Sequence, residues 1–392
     1  MTRASASPST EDRLILLSAG TAARRDAVGP RLEELAAAAD WTLLAQLLDR
    51  RRLLTLLGPR IVALARGRAD DELTGRLKAA LDTGRRQAVF QQAIAERVLS
   101  ALRDEGIAAT TLKGPALSEL LYSDPGRRPS SDIDVLVTAE RLGDAVKIVR
   151  KLDYHAPTDY VDEHGRPLLH FALVHERRQL PPIELHWRIH WYEQTFASQR
   201  LLPPIDEVDM AWRPTPINGL AALLLFYARD GFVGLRLAAD IGAYWDRLGD
   251  RVESGALDLV ISEYPALGHA LLTATSVAER TVGLPMGKIT HQRGSLSRRE
   301  RVAVRLATPT PPTSTTQAFM DIGLVDGLLT PRGGFSAFVR RQVIPPREVL
   351  HEHAQKSRRT RPSTSVGHGA RVLGRYCLAL ARLIRRGGAP AT

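Results

Sequence analysis

Apolar residues recur at helical spacing along residues 35–57: Leu43, Leu44, Leu47 and Leu48, then Leu53, Leu54 and Leu57. A second pattern of the same period runs from Leu73 to Leu102 and stops near Gly106. Residues 1–105 therefore read as a helical region, with helices over 30–105. The texture changes at Gly106. Residues 107–112 carry β-branched side chains at three of six positions (Ile107, Thr110, Thr111) and read as a strand. Lys113-Gly114-Pro115 is a turn, and Pro115 suits the first turn of a short helix over 116–122. Residues 123–129 form a loop by their turn residues. Strands are expected over 132–137, 170–175 and 183–187, with a helix over 139–152. The order β-α-β-α-β-β predicts an α/β unit with a mixed sheet over 106–195. Helical periodicity returns at Asn218, in segments 220–228 and 235–248, which marks a second helical domain over 196–300. Residues 307–316 are a Pro/Thr-rich linker, and 301–392 read as this linker plus a basic amphipathic tail. The expected fold class is α+β: a small mixed β-sheet core flanked by N-terminal and C-terminal helical domains.

Composition narrows the class. The 392 residues are 44% hydrophobic and 25% charged, as in an ordinary soluble globular protein of two or three domains. A single cysteine, Cys377, rules out an intrachain disulfide framework and a thiolate metal cluster. The N-terminal residues lack a long apolar core and do not read as a signal peptide, and no stretch reaches the roughly 18 apolar residues of a membrane span. A cytoplasmic location is expected. The formal net charge is +11, but residues 351–392 hold nine Lys or Arg against one acid, Glu352. The body is thus only mildly basic, and the charge is weak evidence for nucleic-acid binding. In the tail, Arg371, Arg375, Arg382 and Arg386 fall on one side of a helix, and Leu373, Tyr376, Leu380, Leu383 and Ile384 on the other. Such a helix packs its apolar face onto the body, or lies on an anionic membrane or nucleic acid.

The chemistry-bearing segment is Ser131-Asp132-Ile133-Asp134-Val135-Leu136-Val137. Side chains alternate along a strand, so Asp132 and Asp134 point one way and Ile133 and Val135 the other. Such a pair is commonly the solvent face of an amphipathic strand. However, two aspartates on one face repel unless something positive lies between them. Hard divalent cations prefer oxygen ligands, and a third carboxylate from a neighbouring strand completes a two-metal site. Glu184, an acid inside an otherwise apolar strand, is the candidate. Upstream, Lys113 and Gly114 stand at a strand-to-helix turn where backbone can approach a phosphate. Arg128 offers a planar fork to a triphosphate. His186 should share a face with Glu184, where it can orient an acceptor or assist proton transfer. His170, His175 and His190 are scattered and read as structural. Arg236 and Asp240, four apart on a helix, are expected to pair with each other.

Taken together, Leu112-Lys113-Gly114-Pro115-Ala116-Leu117, Tyr122, Arg128 to Val137, and Ile183-Glu184-Leu185-His186-Trp187 resemble the nucleotidyltransferase superfamily of the DNA polymerase beta type. More closely, they are similar to a bacterial nucleotidyltransferase family with an LKG-x-AL segment, an R-x-x-S-D-I-D-L-L-V strand and an E-L-H-W strand. The resemblance spans residues 35–250, with a fainter echo at Ile344-Pro-Pro-Arg-Glu348. It implies a nucleotidyltransferase core over 106–195, with Asp132, Asp134 and Glu184 as catalytic metal ligands. Lys113, Gly114, Arg128, Ser131 and His186 would serve nucleotide or acceptor. Two Mg2+ ions, or Mn2+, would assist transfer from an NTP to a hydroxyl or phosphate of a small-molecule, sugar or peptide acceptor, in a biosynthetic setting. One departure matters: many superfamily members have Gly-Gly or Gly-Ser where this chain has Gly114-Pro115. Proline offers no amide hydrogen, so phosphate binding leans on Lys113, Arg128 and the following helix. Two other readings fit the motifs, a toxin-like transferase acting on tRNA and a catalytically dead nucleotide-binding scaffold. The presence of all three carboxylates argues against the second.

Overall fold

The computed structural model describes residues 8–65, 71–155, 169–177, 180–204, 213–292, 296–307, 315–336, 338–339 and 374, with side chains in 315–320 left aside. The basic tail helix, the Pro/Thr-rich linker over 308–314 and the 344–348 segment lie outside the described residues. Five helices come first: α1 (Thr10–Ser18), α2 (Ala22–Ala27), α3 (Gly29–Ala38), α4 (Trp41–Arg50) and α5 (Leu54–Leu64). The apolar stripe of residues 35–57 belongs to three of these. The chain breaks between α4 and α5 at Arg52, which takes a positive φ of 55°. The second periodic stretch is one 34-residue helix, α6 (Asp71–Asp104).

Among the described residues the sheet has five strands: β1 (Thr110–Thr111), β2 (Ile133–Leu136), β3 (Tyr154–His155), β4 (His170–His175) and β5 (Ile183–His186), in the order β1-β2-β5-β4-β3. Only β2 and β5 run parallel; the other neighbours are antiparallel. The first strand is shorter than expected because the Ile107 amide bonds back to Leu102 at the end of α6, so pairing starts only at Thr110. Two helices cross between strands, α7 (Pro115–Tyr122) and α8 (Leu142–Arg150). The helix after β2 starts three residues later than its pattern suggests, because Thr138 to Arg141 close a turn first.

Alternation sorts the sheet's two faces. Ile133, Val135, Val137, Phe171, Leu173, Ile183 and Leu185 join one buried cluster with residues of α6 and α8. Asp134, Leu136, Glu184 and His186 take the opposite face, and Leu136 belongs to the larger helical cluster. That cluster draws on α1 and α3–α5 and equally on α10 (Pro216–Arg229), α11 (Arg236–Leu248), α12 (Ala256–Glu263) and α13 (Gly268–Val282). The two helical regions thus share one core, which covers the polar-bearing face of the sheet. Shorter helices α9 (Phe196–Arg200) and α14 (Met286–Ile289), then α15 (Arg298–Leu306) and α16 (Thr315–Leu329), complete the described elements. No described helix is long and apolar enough to cross a membrane.

Glu193 ties the segment after β5 to α9. It is buried, and its two carboxylate oxygens accept from the Ile189 amide (2.7 Å) and the Ala197 amide (3.0 Å). Burial pushes this carboxyl up from 4.5 to about 7, against the pull of those amides. A folded-state value above the unfolded one means that protonation favours the native chain. The contribution is fully present below pH 4.5 and is lost as the pH rises through about 7. Denaturant unfolding between pH 4.5 and 7.5 should show the wild type losing stability relative to Glu193→Gln; parallel profiles would contradict this.

Candidate active site

The loop before β2 is fastened from every side. Its 3-10 turn, Pro125–Arg127, lies against α6 so closely that a Cβ on Gly84 would stand 2.5 Å from the Gly126 carbonyl oxygen. Asp124 receives Arg85 (2.7 Å) and the Gly126 amide (2.9 Å). Ser118 donates to the Asp124 carbonyl and accepts the Arg128 amide. Arg127 donates to the Leu56 carbonyl (2.6 Å), and both Gln87 and Gln91 donate to the Ser130 carbonyl (2.8 and 2.7 Å). Small residues and amide side chains on α6, which carry no catalytic signature in the sequence, therefore set where the acidic segment begins.

Arg128 differs from a solvated loop arginine. It is 5% exposed, and its Nε donates to Asp240 of α11 at 2.7 Å. The second Asp240 oxygen accepts the Tyr122 hydroxyl at 2.8 Å. Burial opposes the Arg128 charge, but Asp240 outweighs it and raises the guanidinium's affinity for its proton. The expected Arg236–Asp240 pair does not form: Asp240 is spent on Arg128 and Tyr122, and Arg236 instead donates to the Pro129 carbonyl. A fully buried carboxylate takes the partners that pack against it, and here these come from α7 and the loop rather than from its own helix.

Asp134 and Glu184 are register partners on the parallel strands β2 and β5. Their carboxylates meet the same imidazole nitrogen: His186 Nε2 lies 2.9 Å from Asp134 Oδ1 and 3.4 Å from Glu184 Oε2. Lys113 Nζ lies 3.3 Å from Asp134 Oδ1 and 4.1 Å above the centre of the Phe226 ring. Arg229 stacks on the same ring at 4.8 Å. Burial works to raise the Asp134 carboxyl, but the His186 hydrogen bond and the charges of Lys113 and Arg229 overcome it and hold it well below the usual carboxylate range. Burial likewise opposes Glu184, and the bond from His186 wins, so it too is lowered. Two carboxylates thus share one face of the sheet, and oxygen ligands of this kind are those that hard divalent cations prefer.

Asp132 is not part of the strand. The ladder starts with the Ile133 amide on the Pro182 carbonyl, leaving Asp132 just ahead of it. Its Oδ1 accepts the Ser130 hydroxyl at 2.7 Å, and it lines a cavity of about 230 Å³ with Gln91, Glu96, Lys113 and Gly114. Asp134 and Glu184 therefore meet at His186, whereas Asp132, just ahead of the strand, faces the cavity beside Lys113. Ser131 is exposed, and its neighbour Ser130 makes the contact with Asp132. Gly114 has φ 86° and ψ −151° at the start of α7, a conformation that disfavours any side chain. A second cavity, of about 390 Å³, opens on the other side of Lys113 between Leu117, Leu120, Leu223, Phe226 and Tyr244.

His170 is not a scattered structural residue. It is the register partner of His186, and its Nε2 lies 3.6 Å from Glu184 Oε2. Burial and the neighbouring His186 push it down to about 4, against the pull of Glu184. Only pairing register brings it here, and register is not written in the local pattern around residue 170. His175 instead accepts the Arg177 amide and packs on Tyr154.

An Asp and a Glu thus stand side by side on parallel strands, with a lysine and a glycine turn near them. Residues 37–283 match the model of a family described as uncharacterised nucleotidyltransferases. The match covers more than half of the chain, which belongs to this family. Neither a curated protein nor a solved structure shows significant similarity to it.

Proposed function

We propose that the protein transfers a nucleotidyl group from an NTP to a hydroxyl or phosphate of a small-molecule, sugar or peptide acceptor, releasing pyrophosphate. The observation that carries this reading is the pairing of Asp134 with Glu184 across β2 and β5, both ionised and both reaching one point on the sheet. With Asp132 at the strand's mouth, these residues would hold two Mg2+ ions. Such ions lower the pKa of an attacking oxygen and neutralise charge on the triphosphate and leaving pyrophosphate.

The remaining work falls to the chain. Lys113 stands at the border of both cavities and supplies a positive charge that can pass from Asp134 to a phosphate. Gly114 lets the backbone at the start of α7 come close to that phosphate. With its Nε committed to Asp240, Arg128 acts chiefly by fixing the acidic segment, so the burden on Lys113 grows. Ser131 is exposed, one residue ahead of Asp132. His186, within reach of both Asp134 and Glu184, can orient the acceptor or assist proton transfer. The cavity of apolar lining beside Phe226 suits an acceptor with an apolar portion.

The test uses the full-length protein, Mg2+ and each NTP labelled at the α-phosphate, offered with a metabolite extract and separately with bulk tRNA. Label in small products, with pyrophosphate released, is the expected result. Label in tRNA would favour the toxin-like reading, and no transfer to either would favour the scaffold.

A further inference from the structure

The same face of the sheet carries a second set of donors farther along β4 and β5. The rings of His170 and His186 stand 4.6 Å apart at their centres, tilted by 44°. Both Nε2 atoms approach one oxygen, Glu184 Oε2, at 3.6 and 3.4 Å. One ligand atom from each of the three residues lies within 4.8 Å of the others. Nitrogen and oxygen ligands at about 2.0–2.1 Å around a tetrahedral ion stand roughly 3.4 Å from one another, so the two measured spacings already fit such an ion.

Two features set this group apart from a pair of core histidines. The Nδ1 atoms of His170 and His186 are both buried and have no hydrogen-bond partner among the described residues. Buried polar atoms are ordinarily paired, and with no partner on Nδ1 neither ring's tautomer or flip is fixed, so each can turn a bare nitrogen to an ion. The donor type is also distinct. Carboxylate and water ligands suit Mg2+, whereas imidazole draws the first-row transition ions, and two imidazoles with one carboxylate are a common set for them.

We propose that His170, Glu184 and His186 bind a divalent first-row transition ion, of the Mn2+ to Zn2+ class, next to the Asp134 carboxylate. Its binding stands by itself. It rests on the nucleotidyl-transfer reading only in sharing Glu184 with that site.

Untagged full-length protein, stripped of metal with a chelator, is titrated with Co2+ while visible absorption is recorded. One equivalent should bind and give the absorption bands of a nitrogen-and-oxygen-ligated Co2+. Zn2+ should displace it, and millimolar Mg2+ should not. His170→Gln should weaken binding at least about 10-fold, while Asp132→Ala leaves it unchanged. In the wild type, Co2+ should also broaden two histidine ring resonances, a readout that needs no variant to fold. No Co2+ bands, or unbroadened rings, or wild-type affinity in a folded His170→Gln protein, would overturn the proposal. Turnover of NTP by Asp132→Ala would instead sink the transfer reading and leave this site standing.

Discussion

Replacing Asp134 with Asn is expected to lower metal-dependent NTP turnover by at least about 10³-fold, equivalent to some 4 kcal/mol of transition-state stabilisation. The argument is electrostatic. Asp134 is buried, ionised and in contact with both Lys113 and His186, and it neighbours Glu184 in register. Asn preserves the shape and can still accept from His186, so the fold should persist. What it removes is the negative charge that balances Lys113 and would hold a cation against the triphosphate. Circular dichroism and thermal unfolding of the variant should resemble the wild type while steady-state turnover collapses. Retained turnover would remove Asp134 from the chemistry. Asp132→Ala should show a comparable loss, with less effect on stability because that side chain is partly exposed at the end of the strand.

The second large effect is structural. Asp240→Ala should destabilise the protein by about 3–5 kcal/mol, because it leaves the Arg128 guanidinium buried without its counter-charge and the Tyr122 hydroxyl without its acceptor. The double variant Asp240→Leu with Arg128→Met should recover much of that loss, since no charge remains to be buried. Denaturant unfolding of the single and double variants measures this directly. Equal destabilisation in both would mean that the pair contributes through shape rather than charge. Because the pair holds the acidic segment against α11, the double variant should remain folded yet turn over NTP more slowly.

Much of the frame is legible in the local pattern, since helix periodicity and strand alternation depend on residues a few positions apart. The span of β4, a short helix ending at Tyr122 and a long helix covering Leu73 to Leu102 all follow from such local signals. The short strand β3 escapes it, because two residues, Tyr154 and His155, carry no period. The site is legible in its acids but not in its partners. Asp134 and Glu184 stand out as charges in apolar strands, and alternation correctly gives His186 the face of Glu184. The partner of Asp240 does not stand out, because the i,i+4 rule favours Arg236 while the packing of α11 against α7 and the loop delivers Arg128. His170 reaches Glu184 through the antiparallel register of β4 on β5, a relation between segments that neither strand states by itself. Gln87 and Gln91 of α6 likewise look like an ordinary polar helix face until the loop they hold is laid against them.

The most direct test is a crystal of the protein grown with Mn2+ and an NTP analogue that resists cleavage at the α-phosphate, examined by anomalous scattering at the manganese edge. The account predicts Mn2+ ligated by Asp134 and Glu184, with Asp132 turned inward to share it and the triphosphate lying over Lys113 and Gly114. No manganese at Asp134 and Glu184, or a triphosphate seated with no ion in reach of Asp134, would contradict it.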